Sequence, residues 1–114
     1  MENRKHRFCE GERYGEETIV LADGTSISFF HNQSCCENVW ADLSALKDTG
    51  FEEDMSICFD TLKIERVKDY GVRVNGYGIP CYNDIDSCYS DDIEITISHT
   101  FDSGYYGMNH TVLL

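Results

Sequence analysis

Apolar positions along the chain alternate more often than they recur at helical spacing. Between Glu16 and His31, Thr18 and Val20 and then Ile27 and Phe29 are spaced by two on either side of Ala22-Asp23-Gly24-Thr25. That pattern predicts a β-hairpin, with Asp-Gly as its tight-turn signal. The next stretch changes period. Ser34 is a good N-cap, Glu37 three residues on completes a capping box, and Cys36, Val39, Trp40, Leu43 and Leu46 follow at steps of three and four. An amphipathic helix is expected there, with Lys47 in its last turn and Thr49-Gly50 ending it. Its opposite face carries Asn38, Asp42 and Ser44.

Beyond the helix, strand patterning returns. Met55 to Val67 reads as a strand kinked near Asp60-Thr61, and Tyr70 to Ile79 as another, broken by Gly76 and Gly78. Asp92 to His99 alternates most cleanly, with Ile93, Ile95 and Ile97 on one side and Glu94, Thr96 and Ser98 on the other. A turn at Ser103-Gly104 and a strand from Tyr106 to Leu113 complete the pattern. The expected fold is α+β: a mainly antiparallel sheet of five to six strands with one amphipathic helix packed on a face, Trp40 at the centre of that contact. One proline, no repeat and no low-complexity tract predict a single domain over residues 1–114.

Charge changes the picture more than composition does. Apolar residues make up 41% of the chain, sufficient for a core, but the formal net charge is −12. The last Lys or Arg is Arg73, and the residues after it carry six carboxylates. Five of them, Asp84, Asp86, Asp91, Asp92 and Glu94, lie among Tyr82, Tyr89 and the alternating isoleucines. Such a block repels nucleic acid and anionic membranes and attracts basic surfaces. Arg4, Lys5 and Arg7 form the only basic cluster, too small to reverse that balance. The positively charged start has no apolar stretch behind it, and no run approaches the length of a membrane span. An intracellular protein with reduced thiols is expected, in which Asn32-Gln33-Ser34 and Asn109-His110-Thr111 are not glycosylated.

The chemistry-bearing residues suggest three activities, and each meets an objection in the sequence. A zinc module would use His31 and Cys35 or Cys36 with Cys81 and Cys88, but neither adjacent cysteines nor a gap of six residues matches the usual paired spacing. A thiol nucleophile at Cys35 near His31 would need an oriented base and an oxyanion site, and neither is legible. Cys36 fits the apolar stripe better as a core residue. Asn83-Asp84-Ile85-Asp86-Ser87-Cys88 has the alternating oxygens of a calcium loop without its glycine and terminal glutamate. His99 and His110 are expected to face each other across the last hairpin, and Gly76-Tyr77-Gly78 and Gly104-Tyr105-Tyr106-Gly107 set tyrosines on flexible backbone. Phosphate-cradling loops, G-x-S-x-G and H-E-x-x-H are all absent from the sequence, so no catalytic residue and no cofactor are assigned.

The segment from Asp23-Gly24-Thr25 through Phe30-His31-Asn32-Gln33-Ser34-Cys35-Cys36-Glu37-Asn38-Val39 resembles a family of small phage- and prophage-encoded proteins with a DGT…F-x-H-x-x-x-CCE-x-V signature. Ile79-Pro80-Cys81-Tyr82-Asn83 and Cys88-Tyr89-Ser90 resemble a second stretch of those proteins more loosely. The resemblance implies a phage origin and brings no catalytic residue. The family is mostly of unknown function, but a phage origin together with the acidity leads to an expected function: an acidic, anti-CRISPR-like inhibitor in the host cytoplasm that occupies the basic nucleic-acid channel of a defence nuclease, with carboxylates standing in for phosphates. The residues expected to make that contact are Asp84, Asp86, Asp91, Asp92 and Glu94, with Glu52, Glu53 and Asp54 beside them and Tyr82 and Tyr89 adding packing. The alternative is a small intracellular zinc-binding module built on the Cys and His residues.

Overall fold

The computed structural model describes residues 5–31, 39–83, 88–102 and 107–113, with side chains described through residue 99. The Glu16–His31 hairpin forms as the alternation requires, from β2 (Glu17–Val20) and β3 (Ser26–Phe30), preceded by β1 (Arg7–Glu10). After β4 (Val39–Ala41) come β5 (Ile64–Val67), β6 (Gly71–Val74), β7 (Tyr77–Asn83), β8 (Cys88–Tyr89), β9 (Glu94–Asp102) and β10 (Gly107–Leu113). The first sheet has the order β1-β2-β3-β9-β10 and the second β4-β7-β6-β5, with β8 added beside β7. All pairings are antiparallel.

Register explains the core. Ile19 stands opposite Ile27, and Ile27 opposite Ile97, while Phe29 faces Ile95. All five are buried, and the intervening Thr18, Ser28 and Thr96 form a polar ladder on the other face. In the second sheet Val72 faces Ile79 and Ala41 faces Cys81, again all buried. These side chains join Leu21, Leu46, Phe51 and Ile57 in one apolar cluster shared by both sheets. No described helix is long and apolar enough to cross a membrane.

The molecule is mainly antiparallel β, and the expected amphipathic helix is not seen. Its start, including Ser34, Cys35, Cys36 and Glu37, lies outside the described residues. From residue 39 on, the apolar positions are divided between two other elements. Val39 and Ala41 point inward from β4 with Trp40 outward, which is period two, and Leu43–Leu46 forms one short 3₁₀ turn burying Leu43 and Leu46. Asp42 interrupts the run: its carboxylate accepts the Ser44 backbone N–H at 3.1 Å, capping the turn and competing with helix continuation. Pairing of β4 with residues 81–83 of β7 then outweighs the local periodicity. Trp40 is therefore a half-buried residue on the outer face rather than a core centre.

Two further expectations change. Met55 to Val67 becomes a strand only from Ile64; before it, Phe59–Thr61 is a 3₁₀ turn. There Thr61 Oγ1 accepts the Cys58 N–H at 3.0 Å and donates to the Ser56 carbonyl at 2.6 Å, so side chains satisfy backbone groups that a ladder would have used. Tyr70 to Ile79 is a hairpin rather than one broken strand. Asn75 and Gly76 have φ of 49° and 90°, the left-handed pair of a tight hairpin turn, and Val74 pairs with Tyr77 across it. The Asn75 amide fixes the turn to the preceding segment, accepting from Lys63 N at 2.8 Å and donating to Thr61 O at 3.0 Å.

Candidate functional site

Strand alternation on β7 puts Cys81 and Asn83 in the interior and Tyr82 on the outer face of the second sheet. Trp40 of β4 pairs with Tyr82 from one side, and Tyr89 of β8 pairs with it from the other. The Trp40 and Tyr82 rings are 5.2 Å apart, Tyr82 and Tyr89 6.0 Å, and Tyr89 and Tyr70 6.4 Å. Four aromatic side chains thus form one row across the sheet, each contact contributing about 0.5–1.5 kcal/mol beyond area burial. Gly78 makes room for the end of the row: a Cβ there would stand 2.4 Å from the Tyr70 hydroxyl. Tyr89 remains 50% exposed.

Carboxylates flank the row on two sides. On one side Tyr89 leads directly into Asp91 and Asp92. The Asp91 carbonyl accepts from the Arg66 guanidinium at 2.7 Å, the Asp92 N–H is held by Ser90 Oγ at 3.0 Å, and His31 Nδ1 donates to the Asp92 carbonyl at 2.9 Å. These bonds fix the backbone of the acidic segment, in which Asp92 is exposed and Asp91 half-buried. Glu94 differs, because Arg13 reaches it at 3.3 Å. The same guanidinium lies 3.8 Å above the Phe30 ring and bonds Glu16 at 2.7 Å. Burial pushes the Glu16 carboxyl up, but the Arg13 hydrogen bonds and charge overcome it and hold the group below the usual range.

On the other side Trp40 is part of the wall of a groove that also includes Glu10, Glu12, Tyr14 and Glu17. Glu10 and Glu17 stand directly opposite each other across β1 and β2, an arrangement of like charges that weakens a strand pair. Burial raises the Glu17 carboxyl above its ordinary value, and the charges of Glu10 and Asp42 raise it further. Tyr14 at the loop tip is 97% exposed. None of Glu10, Glu12 and Glu17 forms an ion pair among the described residues.

The sequence-selected residues divide accordingly. Tyr82, Tyr89, Asp91 and Asp92 come together, with Glu94 close by in sequence but engaged by Arg13. Asp84 and Asp86 lie outside the described residues. Glu52, Glu53 and Asp54 belong to the opposite pole: Asp54 accepts from the Tyr77 hydroxyl at 2.8 Å at the far end of β7, and Tyr82 is five residues on, roughly 17 Å along the strand. There His6, buried, donates from Nε2 to the Asp54 carbonyl at 2.8 Å and accepts the Ala22 N–H at Nδ1, and Lys5 lies 3.6 Å from Glu53. Trp40, Tyr70, Glu10 and Glu17 were missed by sequence reading. Trp40 alone carried a signal, as the single aromatic at the outward position of a short strand.

The other candidate chemistries meet these facts. Burial pushes the Cys81 thiol up to about 12, which disfavours the nucleophilic thiolate. Cys9 and Cys88 are exposed free thiols. Cys35, Cys36 and the middle of the Asn83–Cys88 loop lie outside the described residues, and among those described no three His, Cys, Asp or Glu side chains converge on a metal position. His110 pairs with His99 in register; the His99 ring stacks on Phe59 at 4.5 Å and bonds Thr25 Oγ1 at 2.8 Å. Tyr77 is engaged by Asp54, and Gly104-Tyr105-Tyr106 lies outside the described residues. No protein-family model matches the chain, and no curated protein or solved structure is significantly similar to it.

Proposed function

We propose that the chain is a phage-encoded, non-enzymatic inhibitor that binds a basic nucleic-acid-handling protein of the host, of the CRISPR effector nuclease class, and blocks its nucleic-acid channel. The observation that carries this reading is the open aromatic row Trp40–Tyr82–Tyr89–Tyr70 set beside Asp91 and Asp92. Carboxylates on a braced backbone replace phosphates along a Lys- and Arg-lined channel, and the rings supply desolvated packing that salt does not screen. A net charge of −12 steers the encounter, so association slows as ionic strength rises. In this reading Asp84 and Asp86 add their charge to the contact, Glu94 contributes less because Arg13 neutralises it, and Glu52, Glu53 and Asp54 lie outside the primary contact.

The test is co-elution from a sizing column with a panel of bacterial defence nucleases, each with and without guide or target nucleic acid. Expected is a stoichiometric complex that excludes nucleic acid and is lost when Asp84, Asp86, Asp91 and Asp92 are changed to lysine. A complex that forms equally well with that variant, or that leaves nucleic acid bound, refutes the channel-blocking reading.

A further inference from the structure

We propose that the outer aromatic face is a docking site for an arginine-bearing protein segment, whose guanidinium lies on Trp40 between the carboxylates of Glu10 and Glu17. The inference deepens the reading above by naming the side chain recognised, and it rests on that reading only for the identity of the partner. Trp40 belongs to both halves of the surface: its ring packs on Tyr82, and it forms a wall of the groove holding Glu10 and Glu17.

Charge complementarity selects the occupant. Glu10 and Glu17 oppose each other in register and neither is ion-paired among the described residues, and the arginine lining the groove, Arg13, is committed to Glu16, Glu94 and the Phe30 ring. A cation entering from a partner removes a repulsion already present in the free protein. Burial and the neighbouring charges raise the Glu17 carboxyl, in keeping with a position where negative charge is in excess. An indole face beside two carboxylates favours a planar guanidinium, which stacks and bonds bidentately, over an ammonium. The molecule already uses that chemistry once, where Arg13 lies over Phe30 and bonds two glutamates. Tyr82, Tyr89 and Tyr70 continue away from Trp40 and supply packing for the residues that flank the arginine.

The sequence contains one tryptophan, so its emission reports the site directly. Full-length protein is titrated with three short labelled peptides of equal length, carrying arginine, lysine or the uncharged isostere citrulline. Trp40 fluorescence and peptide anisotropy are both read. Expected is saturable binding of the arginine peptide, roughly 3–10-fold weaker binding of the lysine peptide, and none of the citrulline peptide. The double variant Glu10→Gln/Glu17→Gln relieves opposed charges and should fold at least as well as the parent, so its expected loss of roughly tenfold in affinity is not a folding defect. Glu52→Gln/Glu53→Gln removes the same charge at the opposite pole and is expected to leave affinity unchanged.

Equal loss in the two double variants would reduce the effect to net charge and overturn the proposal. So would citrulline binding, or arginine binding without a change in Trp40 emission. Failure here with nuclease co-elution intact removes the arginine site alone. Peptide binding as expected, with no nuclease found, removes the proposed target and leaves the docking site standing.

Discussion

Replacing Gly71 with alanine probes a place where two backbone segments come too close for any side chain. Gly71 opens β6 at φ +149°, and a Cβ there would lie 2.3 Å from the Ile79 carbonyl oxygen and 2.7 Å from Cys81 N. Ordinary contact begins near 3.4 Å, so β6 and β7 would have to separate by about 1 Å where they pair. The bond most exposed to that shift is Cys81 N–H to Tyr70 O, at 2.8 Å. Losing a buried N–H partner costs about 1–3 kcal/mol and holding alanine in that conformation about 1–3 kcal/mol more. The sum, roughly 2–6 kcal/mol, is a large part of the 5–15 kcal/mol typical of a domain. Urea unfolding should show a midpoint lower by roughly 1–3 M with an unchanged slope. Gly76→Ala is the control: φ is +90° with nothing within 4 Å, so only conformational strain of about 1–2 kcal/mol is expected. If the two variants unfold at the same midpoint, the close approach contributes nothing and the reasoning fails.

Three other predictions use titration and reactivity. Cys81, with its thiol pushed up to about 12, should resist alkylation in the folded protein while exposed Cys9 and Cys88 react; peptide mapping that finds Cys81 labelled as fast as Cys88 refutes its burial. The Asp54 carboxyl is held low by hydrogen bonds from Ser56 and then from Tyr77. A depressed folded value stabilises above the unfolded carboxylate value and is lost as pH falls through the folded one. Tyr77→Phe should therefore be less stable than the parent at pH 7, with the gap narrowing in acid; a gap independent of pH would contradict this. Glu17 has the opposite sign: its raised folded value means stability present in acid is lost as pH rises through that value. Glu17→Gln should gain about 0.2–1 kcal/mol at pH 7 and nothing in acid, and an equal gain at both pH values would point away from relieved repulsion.

Local signals were sufficient where they agree with the final pairing, whether the partner strand is near in sequence or far. The Asp23-Gly24 hairpin and the isoleucine alternation of β9 were legible because turn chemistry and period agree with the final pairing. Val39 to Leu46 was not, since its apolar spacing fits a helix as well as a strand followed by a 3₁₀ turn. The choice is made by β7, forty residues away, which the local pattern does not contain. Asn75-Gly76 is different: the hairpin signal stood in the sequence, and reading the two glycines as a break in one strand passed over it. Tyr82 and Tyr89 could be nominated from their setting among carboxylates. Joining them to Trp40, Tyr70 and Glu17 required knowing that β4, β8 and the β1–β2 edge meet, and separating them from Glu52–Asp54 required the direction of β7.

The order β1-β2-β3-β9-β10 also sets a timetable for the growing chain. Ile27 pairs with Ile97, so the first sheet stays unfinished until about seventy more residues have been made. Ribosomes adding about 5–20 residues per second need several seconds for that stretch. Throughout it, the apolar face and free edge of β3 lack their partner, while β5, β6 and β7 can pair as soon as they emerge. Stalled or truncated chains ending before β9 would therefore present Ile19, Ile27 and Phe29 to the surroundings, which makes the intact second half of the chain the main protection against aggregation during synthesis.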